Sequence, residues 1–124
     1  MSLRSPLGKV RGLGSAKNGT HHWWMQKVTA VALIPLTIWF VSSVVHMTQE
    51  DYVVVVNWMN SPVVAILMLL FVVTGMYHLK LGLQVIVEDY IHNDFWKMTF
   101  QMMITFGCIA VGTTAVFSIL KIAL

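Results

Sequence analysis

The fold is decided by residues 62–87, which read PVVAILMLLFVVTGMYHLKLGLQVIV. This stretch holds one charged side chain, Lys80, and no acidic residue. About 20 apolar residues in a helix cross a bilayer core about 30 Å thick, so this run is long enough to span it. Backbone polar groups in lipid must be satisfied within their own segment, which favours an α-helix over a strand for so long a continuous run.

Two further apolar segments resemble the first in length and cover residues 28–45 and 98–120. The sequence therefore predicts an all-α membrane protein with three transmembrane helices, at about residues 28–46, 62–89 and 97–121. Pro35 lies inside the first helix and is expected to bend it, because proline removes one ladder hydrogen bond. Residues 1–27 are interpreted as a basic arm at the inner surface and residues 28–124 as the transmembrane domain.

The composition excludes several classes of protein. Hydrophobic residues make up 57% of the 124 residues and charged residues only 10%, against typical values of about 45–50% and about 25%. The mean hydropathy is +0.74. So few charges could not cover a soluble surface, which argues against a soluble enzyme, a nucleic-acid-binding module and a disordered chain. The single cysteine, Cys108, excludes a disulfide framework and a cysteine-based metal cluster within the chain.

The charge distribution predicts the orientation in the membrane. No acidic residue precedes residue 28, whereas the loop after the first helix carries Glu50 and Asp51 and no basic residue. The basic residues before residue 28 are Arg4, Lys9, Arg11, Lys17 and Lys27. The positive-inside rule then places the N-terminus inside and the C-terminus outside. The arm begins at Met1 without a clear presequence, which favours a bacterial inner membrane over a mitochondrial one.

His78 is the most informative polar residue of the second helix. It precedes Val87 by nine residues, which puts it about 13 Å from the inner end of that segment at a rise of about 1.5 Å per residue. An ionisable side chain near the bilayer middle is a functional candidate by default. The alternative is a neutral imidazole that only forms a hydrogen bond to a neighbouring helix.

The helical period places other residues relative to His78. At about 100° per residue, Gly82 and Asp89 share the His78 face to within about 40°, whereas Lys80 points about 200° away. The missing side chain at Gly82 suits the close approach of a flat porphyrin, although a close helix–helix contact would also use it. Lys80 is expected to extend towards the inner headgroups or to pair with a partner.

A haem iron held by two histidines needs both nitrogens at the same depth. The other histidines lie at the predicted inner surface (His21, His22 and His92) or at the outer end of the first helix (His46). None matches the depth of His78. If His78 binds haem, the second axial ligand must come from another chain.

The inner end of the second helix carries Glu88, Asp89 and Tyr90. A phenol at the membrane boundary can donate a hydrogen bond to a quinone carbonyl, and acidic groups nearby can relay protons. The alternative is a solvated helix end with an interfacial tyrosine. The residues alone leave both interpretations open.

The stretch from His78 to Tyr90 reads H-x3-G-x6-D-Y. It resembles the smaller of the two membrane anchors of succinate dehydrogenase (respiratory complex II). The segment GTHHWW at residues 19–24, which leads into KVTA at 27–30, is also similar to the entry of that family's first helix. The three-helix layout matches across nearly the whole chain.

This resemblance implies a fold and a set of partners. It implies a membrane anchor for the flavoprotein and iron–sulfur subunits, paired with a cytochrome b556-type C subunit, with which it shares one haem b. It further implies that His78 is an axial ligand of the haem iron, with Gly82 beside the haem. Tyr90 would contact ubiquinone, with Asp89 next to it.

Other interpretations remain open at this point. The anchor of a quinol:fumarate reductase has a similar architecture and runs the reverse reaction. A small structural or assembly membrane protein without a cofactor would use His78 only for packing. A homodimeric cytochrome would place two copies of His78 on one iron and need no partner chain.

Overall fold

The computed structural model describes residues 6–7 and 17–124, which include four α-helices and no strand. The helices are α1 (Lys17–Met47), α2 (Tyr52–Met59), α3 (Pro62–Tyr90) and α4 (Asp94–Ala123). Three of them are long and apolar enough to cross a membrane: Gly19–Met47 within α1, together with α3 and α4. The all-α membrane fold with three spans is thereby confirmed, whereas the orientation of the termini stays a prediction.

Helix α3 is the central helix of the bundle. It packs against α1 on one side and against α4 on the other, and the short α2 touches both α3 and α4. We call the end where α1 begins, α3 ends and α4 begins the Tyr90 end, and the opposite one the Met47 end. The buried residues of the described part are few: Thr29, Val64, Ala65, Leu81, Val87 and Ile119. Most of the apolar surface therefore faces outward, as lipid or neighbouring chains require.

Helix α1 extends beyond the apolar segment from which it was predicted. It begins at Lys17 and is about 46 Å long at 1.5 Å per residue, well over the bilayer core of about 30 Å. A helix that has nucleated in the apolar segment propagates at little cost into the polar residues before it. Part of the predicted basic arm, from residue 17 onward, is thus helical, and its earlier residues other than 6–7 lie outside the described part. Pro35 lies inside α1 without ending it, and the bend stays a prediction.

Helix α2 is a feature that the sequence pattern did not predict. Its four consecutive valines, residues 53–56, are poor helix formers in water, but near lipid a helix is the local way to satisfy the backbone. Trp58 of α2 stacks on Trp39 of α1, with ring centroids 6.1 Å apart. The amide nitrogen of Asn60, in its better-satisfied orientation, donates to the Ala123 carbonyl at 2.8 Å. Helix α2 therefore ties α1 and α4 together at the Met47 end.

The connection from α3 to α4 is short and well capped. The side-chain oxygen of Asn93 accepts hydrogen bonds from the backbone N–H of Phe95 at 2.9 Å and of Trp96 at 3.4 Å. Asp94 in the first turn adds a negative charge at the positive end of the helix dipole. Because this cap starts α4 directly after residues 91–93, it holds the end of α3, with Tyr90, beside the start of α4.

Candidate functional site

His78 lies in the contact between α1 and α3, which we call the α1–α3 seam. Its residues come from both helices: Gln26, Thr29 and Leu33 from α1, and Gly75, His78 and Gly82 from α3. A methyl group added at Gly75 would lie 3.9 Å from Leu33 Cδ2, and one added at Gly82 would lie 3.8 Å from Gln26 Nε2. The two glycines lie one on either side of His78 along α3, and both face α1 at ordinary van der Waals distance.

A hydrogen bond between the two helices of the seam joins Thr29 to His78. Thr29 Oγ1 lies 2.9 Å from His78 Nδ1, and Thr29 is only 6% exposed. This is the contact that the packing interpretation of His78 predicts, a hydrogen bond to a neighbouring helix. It occupies one ring nitrogen and leaves Nε2 for a different partner. Packing and metal ligation are therefore compatible at this residue.

The α1 side of the seam carries two polar atoms that lack a partner. His22 Nε2 and Gln26 Oε1 are buried and form no hydrogen bond within the described residues. A buried polar group without a partner costs about 1–3 kcal/mol. The seam therefore fits a further polar group that another molecule supplies near its Tyr90 end. Gln26 Oε1 requires a donor, such as a side chain of a second subunit, whereas His22 Nε2 can also donate to a carboxylate.

The α1 half of the seam was missed from the sequence, although a signal was present. His22, Gln26 and Thr29 are spaced i, i+4 and i+7, so they share one helical face to within about 60°. This polar stripe matches the His78–Gly82 face of α3. The stripe is not part of the prediction because the predicted first helix begins at about residue 28. His22 and Gln26 therefore fall in the predicted surface arm.

Gly82 faces α1, not an open cleft within this chain. The close helix–helix contact, which the sequence left open as the alternative to a porphyrin gap, is thus observed. Gly82 lies one turn from His78 along α3, on the side that faces α1. A direct contact between Gly82 and haem stays a prediction.

The predicted quinone residues lie at the C-terminal end of α3. Tyr90 is the last residue of α3 and is 79% exposed, and Asp89 is exposed as well. Asp89 shares the His78 stripe but is exposed, unlike the buried Thr29 of the seam. The phenol is exposed at the Tyr90 end, and its contact with a quinone stays a prediction.

The other described histidines lie near the ends of helices or in the connection between α3 and α4. His46 is in the last turn of α1 and exposed, about 25 Å along the axis from Thr29 at 1.5 Å per residue. His21 and His92 are exposed at the Tyr90 end. Within residues 17–124 no other histidine reaches the level of His78, and a second haem ligand on another chain stays a prediction.

A different face of α3 forms a groove with α4. The groove has a volume of about 430 Å³, and its lining includes Met76, Lys80, Cys108, Gly112 and Val116. Lys80 therefore lies apart from the seam, as its helical angle predicts. No group of three or more histidine, cysteine or acidic side chains that could hold a metal ion occurs in the described part of the chain.

The chain is similar to known membrane proteins over most of its length. Residues 1–114 match the family described as succinate dehydrogenase/fumarate reductase transmembrane subunit. The succinate dehydrogenase hydrophobic membrane anchor subunit of Paracoccus denitrificans is 32% identical, with all of this chain and 95% of the relative aligned. The subunits of the same name from Rickettsia bellii and Rickettsia conorii are 35% and 30% identical, over 72% and 86% of this chain and 71% and 86% of theirs. No solved structure matches the chain significantly.

These similarities agree with the three spans. They give the chain the role of a membrane anchor of succinate dehydrogenase, an oxidoreductase complex with flavoprotein and iron–sulfur subunits, as a multi-pass protein of the bacterial inner membrane. The chain belongs to the family of succinate dehydrogenase/fumarate reductase transmembrane subunits.

Proposed function

We propose that this anchor holds half of a shared haem b and completes a site where ubiquinone is reduced. The observation that carries the proposal is the α1–α3 seam. It holds an imidazole by one nitrogen at mid-helix depth and leaves two buried polar atoms of α1 without a partner. A chain that used His78 only for packing would gain nothing from these unpaired atoms.

The chemistry of the seam fits haem b. His78 would ligate the iron through Nε2, while Thr29 holds Nδ1. Further towards the Tyr90 end, His22 Nε2 could donate a hydrogen bond to a propionate, and Gln26 Oε1 would accept one from a partner side chain. When bound, the haem supplies a one-electron redox centre within the membrane.

The second axial ligand would come from a cytochrome b556-type C subunit. The described part of this chain offers no second histidine at the level of His78, and few of its apolar side chains are buried within the chain. A second anchor of similar hydrophobicity would cover part of that surface. Membrane lipid would cover the rest.

Tyr90 and Asp89 would form this chain's part of the quinone site. The Tyr90 hydroxyl donates a hydrogen bond to a ubiquinone carbonyl, and Asp89 relays a proton from water at the membrane surface. Both side chains are exposed in this chain, so the iron–sulfur subunit and the second anchor would close the pocket. Succinate itself is oxidised on the soluble subunits.

The proposal requires the Tyr90 end to face the cytoplasm, where the soluble subunits are docked. The basic residues of the N-terminal region favour this orientation. Protease added to inside-out vesicles stripped of the soluble subunits should cut the N-terminal region. Cleavage only in right-side-out vesicles would reverse the topology and remove Tyr90 from the quinone site.

The complex purified in mild detergent through a tag on this chain tests the proposal. We expect a b-type absorption band on reduction, together with a C subunit, an iron–sulfur subunit and a flavoprotein identified by mass. A haem band without a second anchor would indicate a homodimeric cytochrome. If the expected subunits are found without a haem band, the chain is an anchor that binds no haem. Quinol:fumarate reductase activity in excess of succinate oxidation would assign the reverse reaction.

A further inference from the structure

We propose that Thr29 is the positioning residue that fixes the tautomer and ring orientation of His78, so that Nε2 carries the lone pair offered to the iron. This inference rests on the proposed role of His78 as a haem ligand. It adds a residue from α1 to a site that the sequence had assigned to α3 alone.

The direction of the Thr29–His78 hydrogen bond follows from the other contacts of the threonine. A threonine hydroxyl has a single proton. Thr29 Oγ1 lies 2.7 Å from the Met25 carbonyl oxygen and 3.1 Å from the Gln26 carbonyl oxygen. Both carbonyl oxygens can only accept, so the hydroxyl proton is directed to them. Towards His78, 2.9 Å away, Oγ1 is left as an acceptor.

The imidazole must therefore donate from Nδ1. In the neutral ring, a proton on Nδ1 leaves Nε2 as the unprotonated nitrogen, which is the form that a metal requires. The backbone carbonyl, the hydroxyl and the imidazole form one chain of hydrogen bonds, and each bond polarises the next. Donation from Nδ1 also raises the basicity of the ligating nitrogen, which favours the ferric state of a bound haem.

The combination is specific to Thr29 among the threonines of the long helices. Thr99, Thr105 and Thr114 each donate to the carbonyl oxygen four residues earlier, at 2.8–2.9 Å. Thr29 makes the same bond and, in addition, reaches a histidine of another helix. It is also the buried polar residue of the described part of the chain. Burial holds the hydroxyl away from water, which would otherwise compete for Nδ1.

Four residues at position 29 separate a positioning role from a packing role. Thr29→Ser keeps the hydroxyl and loses a methyl group, whereas Thr29→Val keeps the size of the side chain and loses the hydroxyl. Thr29→Ala loses both. The readouts are haem per copy of this chain in the purified complex, the haem midpoint potential and the low-spin EPR signal. Thr105→Val is the matched control, because Thr105 is half-buried and bonds only to its own helix.

We expect the results to follow the hydroxyl. Thr29→Val and Thr29→Ala should weaken haem retention about 10–100-fold and move the potential of the remaining haem to more positive values. Thr29→Ser and Thr105→Val should resemble the unchanged protein. Results that follow side-chain size, with Thr29→Val like the unchanged protein and both Thr29→Ser and Thr29→Ala impaired, would overturn the positioning role, as would four indistinguishable potentials.

His78→Ala separates failure of this inference from failure of the proposed function. If His78→Ala abolishes the b-type signal while the hydroxyl at position 29 has no effect, His78 is the ligand and Thr29 does not position it. If His78→Ala keeps the signal, the ligand assignment itself is wrong and the inference falls with it.

Discussion

The two sides of α3 differ in chemistry although they belong to one helix. Towards α1, the side chain of His78 meets a buried hydroxyl between two glycines, and polar atoms of α1 remain unpaired. Towards α4, the contact is mainly apolar: a methyl group at Gly112 would lie 3.3 Å from Met76 Cγ. Lys80 is the charged residue among those that line the neighbouring groove.

This difference in chemistry makes the α1 side of α3 the candidate functional side and the α4 side a scaffold. Packing against α4 is mainly apolar and holds α3 in place, with Lys80 as the charged side chain of the groove on that side. The α1–α3 seam instead buries polar groups at membrane depth. This costs free energy that leucine or alanine at the same positions would not cost. Substitutions on the two sides of α3 should therefore have different consequences, and they test whether this contrast is functional.

The largest effect is expected for His78→Ala. Removing the imidazole should abolish the b-type spectrum of the purified complex, because no other histidine of the long helices lies at that level. His46→Ala is the control, since His46 is exposed in the last turn of α1, and it should leave the reduced band intact. A normal band in both variants would contradict the ligand assignment.

Gly82→Leu should have the next largest effect, on the seam as a whole. A methyl group added at Gly82 would lie 3.8 Å from Gln26, and the leucine side chain is larger still. Overpacking of this kind costs about 1–3 kcal/mol. We expect lower haem content and a lower unfolding temperature of the complex in detergent.

Gly107→Leu is the matched control for this substitution. Gly107 is also in a transmembrane helix, but a methyl group there would meet no atom within 4 Å. It should keep both haem content and unfolding temperature. Equal losses in the two variants would mean that helix composition, not the seam, sets the response.

Tyr90→Phe should have a smaller effect, confined to quinone chemistry. The change keeps the ring but removes a hydroxyl whose hydrogen bond is worth about 0.5–1.5 kcal/mol, which corresponds to a loss of about twofold to tenfold in kcat/KM for ubiquinone. Succinate oxidation with a water-soluble dye that accepts electrons upstream should stay normal. Unchanged quinone reduction and inhibitor sensitivity would leave Tyr90 as an interfacial tyrosine.

Asp89→Asn provides a comparison at the neighbouring position. The carboxylate is lost with little change in size, so a proton relay would be impaired while quinone docking persists. We expect kcat for quinone reduction to fall with KM nearly unchanged. A rise in KM alone would instead place Asp89 in direct contact with the quinone.

The three spans could be predicted because lipid imposes one simple rule on long apolar runs. Residues 62–87 left no alternative to a helix, and the structure places α3 at Pro62–Tyr90. The depth of His78 followed from rise alone. Helix α2 could not be predicted, because its valine run favours a strand in water and its helical form depends on neighbours such as Trp39.

The partner of His78 was beyond the reach of the sequence for a physical reason. Periodicity gives the face and depth of a residue on its own helix, but it does not give the relative rotation of two helices. Thr29 and His78 are separated by 49 residues, and their contact depends on how α1 and α3 pack against each other. Only the packed structure joins the two faces.

The smallest effect is expected on the α4 side of α3, for Lys80→Met. Methionine keeps the length of the side chain and removes its charge, and Lys80 lines the groove about 200° around α3 from His78. The haem potential, the haem content and quinone reduction should therefore stay within error of the unchanged complex. The unfolding temperature in detergent should stay equal or rise slightly, because a half-buried ammonium group is costly at membrane depth. A shifted haem potential in Lys80→Met would show that the charge is felt at the α1–α3 seam, and the separation of α3 into a functional side and a scaffold side would then be wrong.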